Sequence, residues 1–279
     1  MTARHVVTAL AENSVYKLGL LAEHGAAYLV ETDGVKVLFD TGQGRVLLKN
    51  AAELGISLEH LDAIVISHGH FDHTGGLADV LSLPGSPLVY LHPDALEPKY
   101  RKNDAPPHRR IGMPDAGLRA LEGIGDRIRW THSRVRVSDG ILVTGPISRV
   151  NDFEDTGGPF YRDESCQQAD DLMDDQALIL ESPAGGVVLL GCAHSGAVNT
   201  LTQVSRLTGK NEIHAVIGGM HLLQASNERI QKTAQALLDY GVREIAPCHC
   251  TGFQAASYLR HRFGERCIQC SVGFQYRIG

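Results

Sequence analysis

The stretch "SHGHFDHTGGL", residues 67–77, places His68, His70, Asp72 and His73 within six positions, just ahead of a glycine pair. The apolar run "LDAIVIS" leads into it, with the continuous pattern of a strand buried on both faces. A buried strand therefore delivers this chemistry to the edge of a sheet. His68 and His70 are two apart, so on an extended backbone their rings point the same way and can share one ion. Asp72 and His73 follow at the turn, and Asp72 offers its oxygens to the same space. Imidazole with carboxylate suits zinc, or iron or manganese in similar geometry. The donors are too many for one tetrahedral ion that keeps an open position. Two ions sharing a water is the economical reading.

Working outward, "AYLVET" and "GVKVLFDTG" read as a hairpin turning at Asp33-Gly34. "RVLLKNAAELGI" has helical spacing and ends at Gly55. "SPLVYLHP" reads as a strand ending at His92. Residues 97–114, "EPKYRKNDAPPHRRIGMP", have prolines, basic residues and no period, which predicts a surface loop or lid. "RIRWTHSRVRVSDGILVTGPI" returns to β-alternation with Arg outward and Ile, Val or Trp inward. "QALILES" and "GVVLLGCAH" predict a strand pair, and helices and strands alternate from there to the end. Three strands end in histidines, at His68, His194 and His221, and His249 in "EIAPCHC" follows the same pattern. In layered α/β folds strand ends crowd one rim, so these histidines are expected to converge. One domain spanning residues 1–279 is expected.

Apolar content of 43% and charged content of 21% are ordinary for a soluble globular chain. A net charge of −6 gives no whole-molecule attraction to nucleic acid or an anionic membrane. No apolar run reaches membrane-span length, and "MTARHVVTALAENS" lacks the h-region of a secretory signal. A cytoplasmic location is the expectation. Six cysteines in a chain of 279 residues do not make a disulfide framework, so thiols or metal ligands are expected.

"SHGHFDHTGGL" resembles the His-x-His-x-Asp-His signature of the metallo-β-lactamase superfamily, and the early hairpin resembles the strands that precede it there. That resemblance implies an α/β fold, an αββα four-layer sandwich with the metal site at one edge of the sheets. Asp40 in "LFDTG" resembles an aspartate that buttresses the metal histidines. Further along, "TGPISRVNDFE", "GCAHSGAVNT", "VIGGMHL" and "PCHCTG" resemble a subgroup of hydrolases similar to dihydropterin-methyl-aminobenzene ribofuranosyl phosphate synthases. The resemblance implies His68, His70, Asp72, His73, His194 and His249 as ligands, with Asp72 and His249 on the second ion. The family usually bridges its ions with an Asp, sometimes a Cys, where this chain reads "VVLLGCAH". His194 is the first expectation for that place and Cys192 ranks behind it; failing both, the role passes to His221 or Asp175.

Chemically, such a site makes water nucleophilic at neutral pH. Asp72 is expected to orient it and take its proton, with His221 as a second catalytic candidate. The "HGH" histidines favour Zn2+, two ions, over the di-iron branch of the superfamily, which usually carries a glutamate at the place of His70. Iron or manganese stays open. The loop "KYRKNDAPPHRR" concentrates Lys99, Arg101, Lys102, Arg109 and Arg110 in an otherwise acidic chain, and Arg149 lies in "ISRVNDFE". Arg109, Arg110 and Arg149 are the expected grip on an anionic small molecule, such as a phosphate ester or pterin-related phosphate. Lactone or thioester hydrolysis and nuclease-type phosphodiester cleavage compete for the same site. A binding module that holds metal without turnover is the competing reading of another class. No nucleic-acid or membrane partner is expected, and a homodimer is compatible with the sequence. Cys248, Cys250, Cys267 and Cys270 form C-x-C…C-x-x-C, readable as a separate metal or redox site if alternation turns Cys248 and Cys250 away from His249.

Overall fold

A computed structural model describes residues 5–209 and 213–279 of the chain. Met1–Arg4, at the head of the stretch read against a secretory signal, lie outside the described residues. The chain opens with β1 (His5–Ala11), β2 (Ala27–Thr32), β3 (Val35–Phe39), α1 (Leu47–Glu53) and β4 (Ala63–Val65). The motif follows as α2 (Phe71–Thr74) and α3 (Leu77–Leu81), then β5 (Leu88–Leu91), β6 (Tyr100–Arg101), β7 (Arg109–Arg110) and α4 (Asp115–Glu122). Strands β8 (Ile128–Trp130), β9 (Val135–Ser138), β10 (Ile141–Val143), β11 (Phe160–Tyr161), β12 (Ala177–Leu180) and β13 (Gly186–Leu190) come next. The rest alternates: α5 (Ala197–Thr208), β14 (Ile213–Gly219), α6 (Asn227–Asp239), β15 (Glu244–Cys248), α7 (Phe253–Phe263) and β16 (Gln275–Ile278).

Two large sheets run β16-β1-β2-β3-β4-β5-β8 and β15-β14-β13-β12-β10-β9. Side-chain alternation assigns the layers. Val37 and Phe39 of β3, with Leu178 and Leu180 of β12 and Val187 and Leu189 of β13, fill the space between the sheets. Leu38 and Ile64 face the other way, onto α1, α3 and α4. Ile179, Val188 and Leu190 pack against α5, α6 and α7. Each large sheet is covered on both faces, which explains the near-continuous apolar strands, and the order helix–sheet–sheet–helix is the αββα sandwich. Among the described residues no helix is long and apolar enough to cross a membrane.

Strands β3, β4, β5 and β8 are mutually parallel, as are β13, β14 and β15. Parallel neighbours carry their C-terminal ends to one rim. Asp40 and His68 thus emerge side by side from one sheet, and Cys192, His221 and His249 from the other.

Two local expectations are corrected. The 97–114 segment is not wholly irregular: β6 and β7 pair with each other, and β11 completes a small third sheet. Trp130 does not point inward. It lies on the edge strand β8, 42% exposed, because β8 has a neighbour on one side only.

Candidate metal centre

Six histidine rings stand at the rim, those of His68, His70, His73, His194, His221 and His249, and what matters is which nitrogen of each turns inward. Asp40, fully buried, accepts from the Ser67 backbone N–H at 2.7 Å, from Ser67 Oγ at 2.7 Å and from His73 Nδ1 at 2.7 Å. Because Ser67 Oγ donates to Asp40, it accepts from His68 Nδ1 at 2.9 Å. His194 Nδ1 donates to the Thr156 carbonyl at 2.8 Å, and His249 Nδ1 to Asn13 Oδ1 at 2.9 Å. An outer N–H held by an oxygen leaves the inner nitrogen as the lone-pair atom. His68, His73, His194 and His249 are all set this way, each with Nε2 turned to the rim.

The inward nitrogens meet. His68 Nε2 stands 3.0 Å from His70 Nδ1, and His73 Nε2 stands 3.2 Å from His249 Nε2. Among the described residues His194 Nε2 and His70 Nε2 are buried without a hydrogen-bond partner. Asp72 Oδ2 closes the second pair, 3.6 Å from His249 Nε2 and 3.9 Å from His73 Nε2. Lone pairs facing lone pairs in a buried setting are costly unless a cation sits among them. The residues fit divalent ions, with His68, His70 and His194 around one position and Asp72, His73 and His249 around the other.

The electrostatics agree. Burial, then the neighbouring rings, hold His68 well below the ordinary histidine range, and burial and His221 do the same to His194. Burial opposes charge on His73 as well, but Asp40 and Asp72 overcome it and push the ring up to about 9. Burial brings His249 down to about 4, against the pull of Cys250 and Asp72. Burial also opposes charge on Asp72, yet His73, His24 and His249 hold it well below the carboxylate range. In the metal-free protein at pH 7 a proton on His73 thus stands where an ion would. Cys192 is pushed above the thiol range by burial and by Cys250. Loading with zinc at pH 7 is therefore expected to release about two protons per chain, from His73 and Cys192, and to strengthen as pH rises toward 9. Calorimetry in two buffers of different ionisation heat measures this, and no proton release would contradict the ligand set.

The bridging place is where expectation and structure part. Cys192, not His194, stands between the two positions. Its Sγ lies 3.2 Å from His73 Nε2, and it shares compact donor groups both with His68 and His194 and with His73 and His249. The backbone decides this: Ala193 turns at φ 55°, so the residues on either side of it face different ways, Cys192 onto the seam and His194 onto the first position. Asp175 is elsewhere. Its Oδ2 accepts the Ser195 N–H at 2.7 Å, burial raises it to about 6, and it braces the "AHS" turn. His221 lines the cleft with Nε2 donating to the Gly157 carbonyl at 3.2 Å, its ring 4.3 Å from that of His194.

The basic residues divide. Arg101 and Arg109 line the cleft, with Arg109 5.0 Å over the Phe71 ring. Arg110 instead pairs with Asp115 at 2.6 Å, and Arg149 donates to the Asp171 and His194 carbonyls; neither lines the cleft. Lys99 is buried, 3.0 Å from both Asp170 and Asp174, and Asp174 accepts the Gly69 N–H, so this lysine braces the histidine turn from behind. His24 joins the site without a signal in the sequence: exposed at the cleft mouth, it stands 3.1 Å from Asp72 Oδ2. A single histidine in "LLAEHGAAY" carries no spacing that marks it.

The four late cysteines do not form a site of their own. All six cysteines are free, Cys248 meets Tyr28 Oη at 3.1 Å, and Cys267 packs in a different cluster from Cys248 and Cys270. The strand stops at Cys248. A 3-10 turn over His249–Thr251, with His249 at φ 51°, breaks the alternation and swings Cys250 to the cleft side.

Known proteins are similar in sequence and fold. Residues 22–249 match the family model of the metallo-beta-lactamase superfamily. The chain is 32% identical over 263 residues to a 7,8-dihydropterin-6-methyl-4-(beta-D-ribofuranosyl)-aminobenzene-5'-phosphate synthase of Methanocaldococcus jannaschii, across 90% of this chain and 88% of the relative. Its fold matches that of Tm1679, a metal-dependent hydrolase of the beta-lactamase superfamily. The TM-score is 0.84 at 29% identity, over 98% of this chain and 99% of that one.

Proposed function

The chain belongs to the metallo-beta-lactamase superfamily, and from that premise we propose that it is a metal-dependent hydrolase of a small anionic ester, with zinc the ion its donors suit best. When bound, a pair of such ions supplies Lewis-acid polarisation and brings the pKa of water from ~15.7 toward ~7. Asp72, ionised and aimed at the second position, accepts the attacking water's hydrogen bond and hands its proton on to His24. His24 is exposed, and its hydrogen bond to Asp72 raises its pKa, so it can pass that proton between the cleft and solvent.

The observation that carries the substrate class is the pairing of Arg101 with Arg109. They are directly opposed across β6 and β7, and both line the cleft. Like charges opposed on a sheet destabilise it by roughly 0.2–1 kcal/mol, a cost that an anion bound between them removes. The cleft itself encloses ≈ 160 Å³, below the roughly 300 Å³ at which whole-ligand pockets begin. It therefore admits the reacting group, and the rest of the substrate lies over the rim between the arginines, Phe71 and Leu223. A phosphate ester on an aromatic body fits this division, and the archaeal relative's name also contains a 5'-phosphate.

Zinc-loaded protein is to be assayed on phosphomonoesters, phosphodiesters, lactones and thioesters. Arg101→Ala and Arg109→Ala are each expected to raise KM for the phosphate ester about 10- to 100-fold with kcat little changed. Full metal loading with no turnover of any ester would overturn the hydrolase reading. Turnover only with a second, pterin-bearing reactant would replace it by the synthase reading.

A further inference from the structure

Cys250 and His221 remain outside the two-ion arrangement, and they share a compact donor group with Cys192. One ligand atom from each of the three lies within 4.8 Å of the others. The group does not include His68, His73 or His249, so it marks a third location beside the first two. We propose that Cys192, His221 and Cys250 hold a third ion, of the thiophilic kind, with its open side on the cleft.

Several observations converge on this. His221 Nε2 donates to the Gly157 carbonyl, which leaves Nδ1 as the lone-pair nitrogen, and Nδ1 is buried without a hydrogen-bond partner among the described residues. The ring reaches its place because residue 157 is glycine: a Cβ there would overlap the imidazole. A Cβ on Gly219 would likewise collide with Cys250 Sγ. Two glycines thus make room for the two donors. The backbone turns at both, with His221 at φ 47° and His249, just before Cys250, at φ 51°. Strain of this kind persists where the surroundings enforce it, and it clusters at functional sites. The size also fits. Zn–S bonds of about 2.3 Å and Zn–N bonds of about 2.0 Å put tetrahedral ligand atoms roughly 3.5–3.8 Å apart, within the 4.8 Å that bounds this group. Two sulfurs and one imidazole select zinc, cadmium or Cu(I) over manganese or magnesium. All three side chains line the cleft, so the fourth position is open to a small ligand. A thiolate bridging the pair can share its remaining lone pairs with this neighbour.

The third ion goes beyond the two-ion reading and shares only Cys192 with it. The test is a titration of the metal-free, reduced full chain with Cd(II), followed by equilibrium dialysis, the ultraviolet thiolate-to-cadmium band and 113Cd NMR. Three equivalents are expected, with one resonance displaced toward two-sulfur ligation. Cys250→Ser is expected to bind two and to lose about half of the thiolate band, and His221→Ala to weaken the third equivalent at least tenfold. Wild-type protein that stops at two equivalents, or Cys250→Ser that still binds three, overturns the third site and leaves the pair intact. Fewer than two equivalents in wild type overturns both. The wild-type count and spectrum stand without any variant, so misfolding of Cys250→Ser does not shelter the proposal.

Discussion

Of the two histidine-held ions, Cys192→Ala is expected to retain one and to lose at least a thousandfold in turnover, while Cys192→Asp retains both. Two divalent ions about 4 Å apart repel by roughly 16 kcal/mol at an effective dielectric near 20. An anion held between them is what lets both stay. Among the described residues near the seam, Cys192 is the group whose atom serves both positions, 3.2 Å from His73 Nε2 and grouped with His68 and His194. Aspartate carries the same charge to about the same reach, so it is the substitution that separates bridging from mere packing. Metal content by elemental analysis and turnover of the best ester decide it. Two full equivalents in Cys192→Ala would show that the sulfur does not bridge.

Asp40→Ala carries the second large effect. This carboxylate has no exposed surface and accepts three hydrogen bonds, two from Ser67 and one from His73 Nδ1. Through Ser67 it also sets the tautomer of His68. One residue therefore orients a histidine at each of the two candidate ion positions. Gly191 packs against it so closely that any side chain there would strike Ser67 Oγ. Loss of such outer partners typically costs 10- to 100-fold in metal affinity, and the upper end is expected here because two histidines are released together. Competition with a chromophoric chelator measures it. An affinity within twofold of wild type would mean that the rings are held by packing alone.

The His-x-His-x-Asp-His motif was legible because its geometry is local: spacing on a strand end fixes which side chains share a face. The layered fold was legible for the same reason, since periods of two and 3.6 mark strands and helices one at a time. Residues whose roles depend on distant partners were not. Lys99 reads as a surface cation beside Arg101, yet it is buried because Asp170 and Asp174, over seventy positions on, close around it. Arg149 looks free in "ISRVNDFE", but the Asp171 and His194 carbonyls take its guanidinium. The ranking of His194 over Cys192, and the side given to Cys250, failed at single dihedrals. Ala193 at φ 55° and His249 at φ 51° reverse the local alternation, and neither residue type announces a left-handed turn.

A metal pair bridged by sulfur is the central claim, and X-ray absorption at the zinc edge of the loaded wild-type chain tests it most directly. With two zinc equivalents added per chain, the predicted spectrum shows imidazole nitrogen, sulfur near 2.3 Å and a metal–metal vector of about 3.5–4 Å. A single equivalent ligated only by nitrogen and oxygen, with no sulfur and no metal–metal vector, would contradict it.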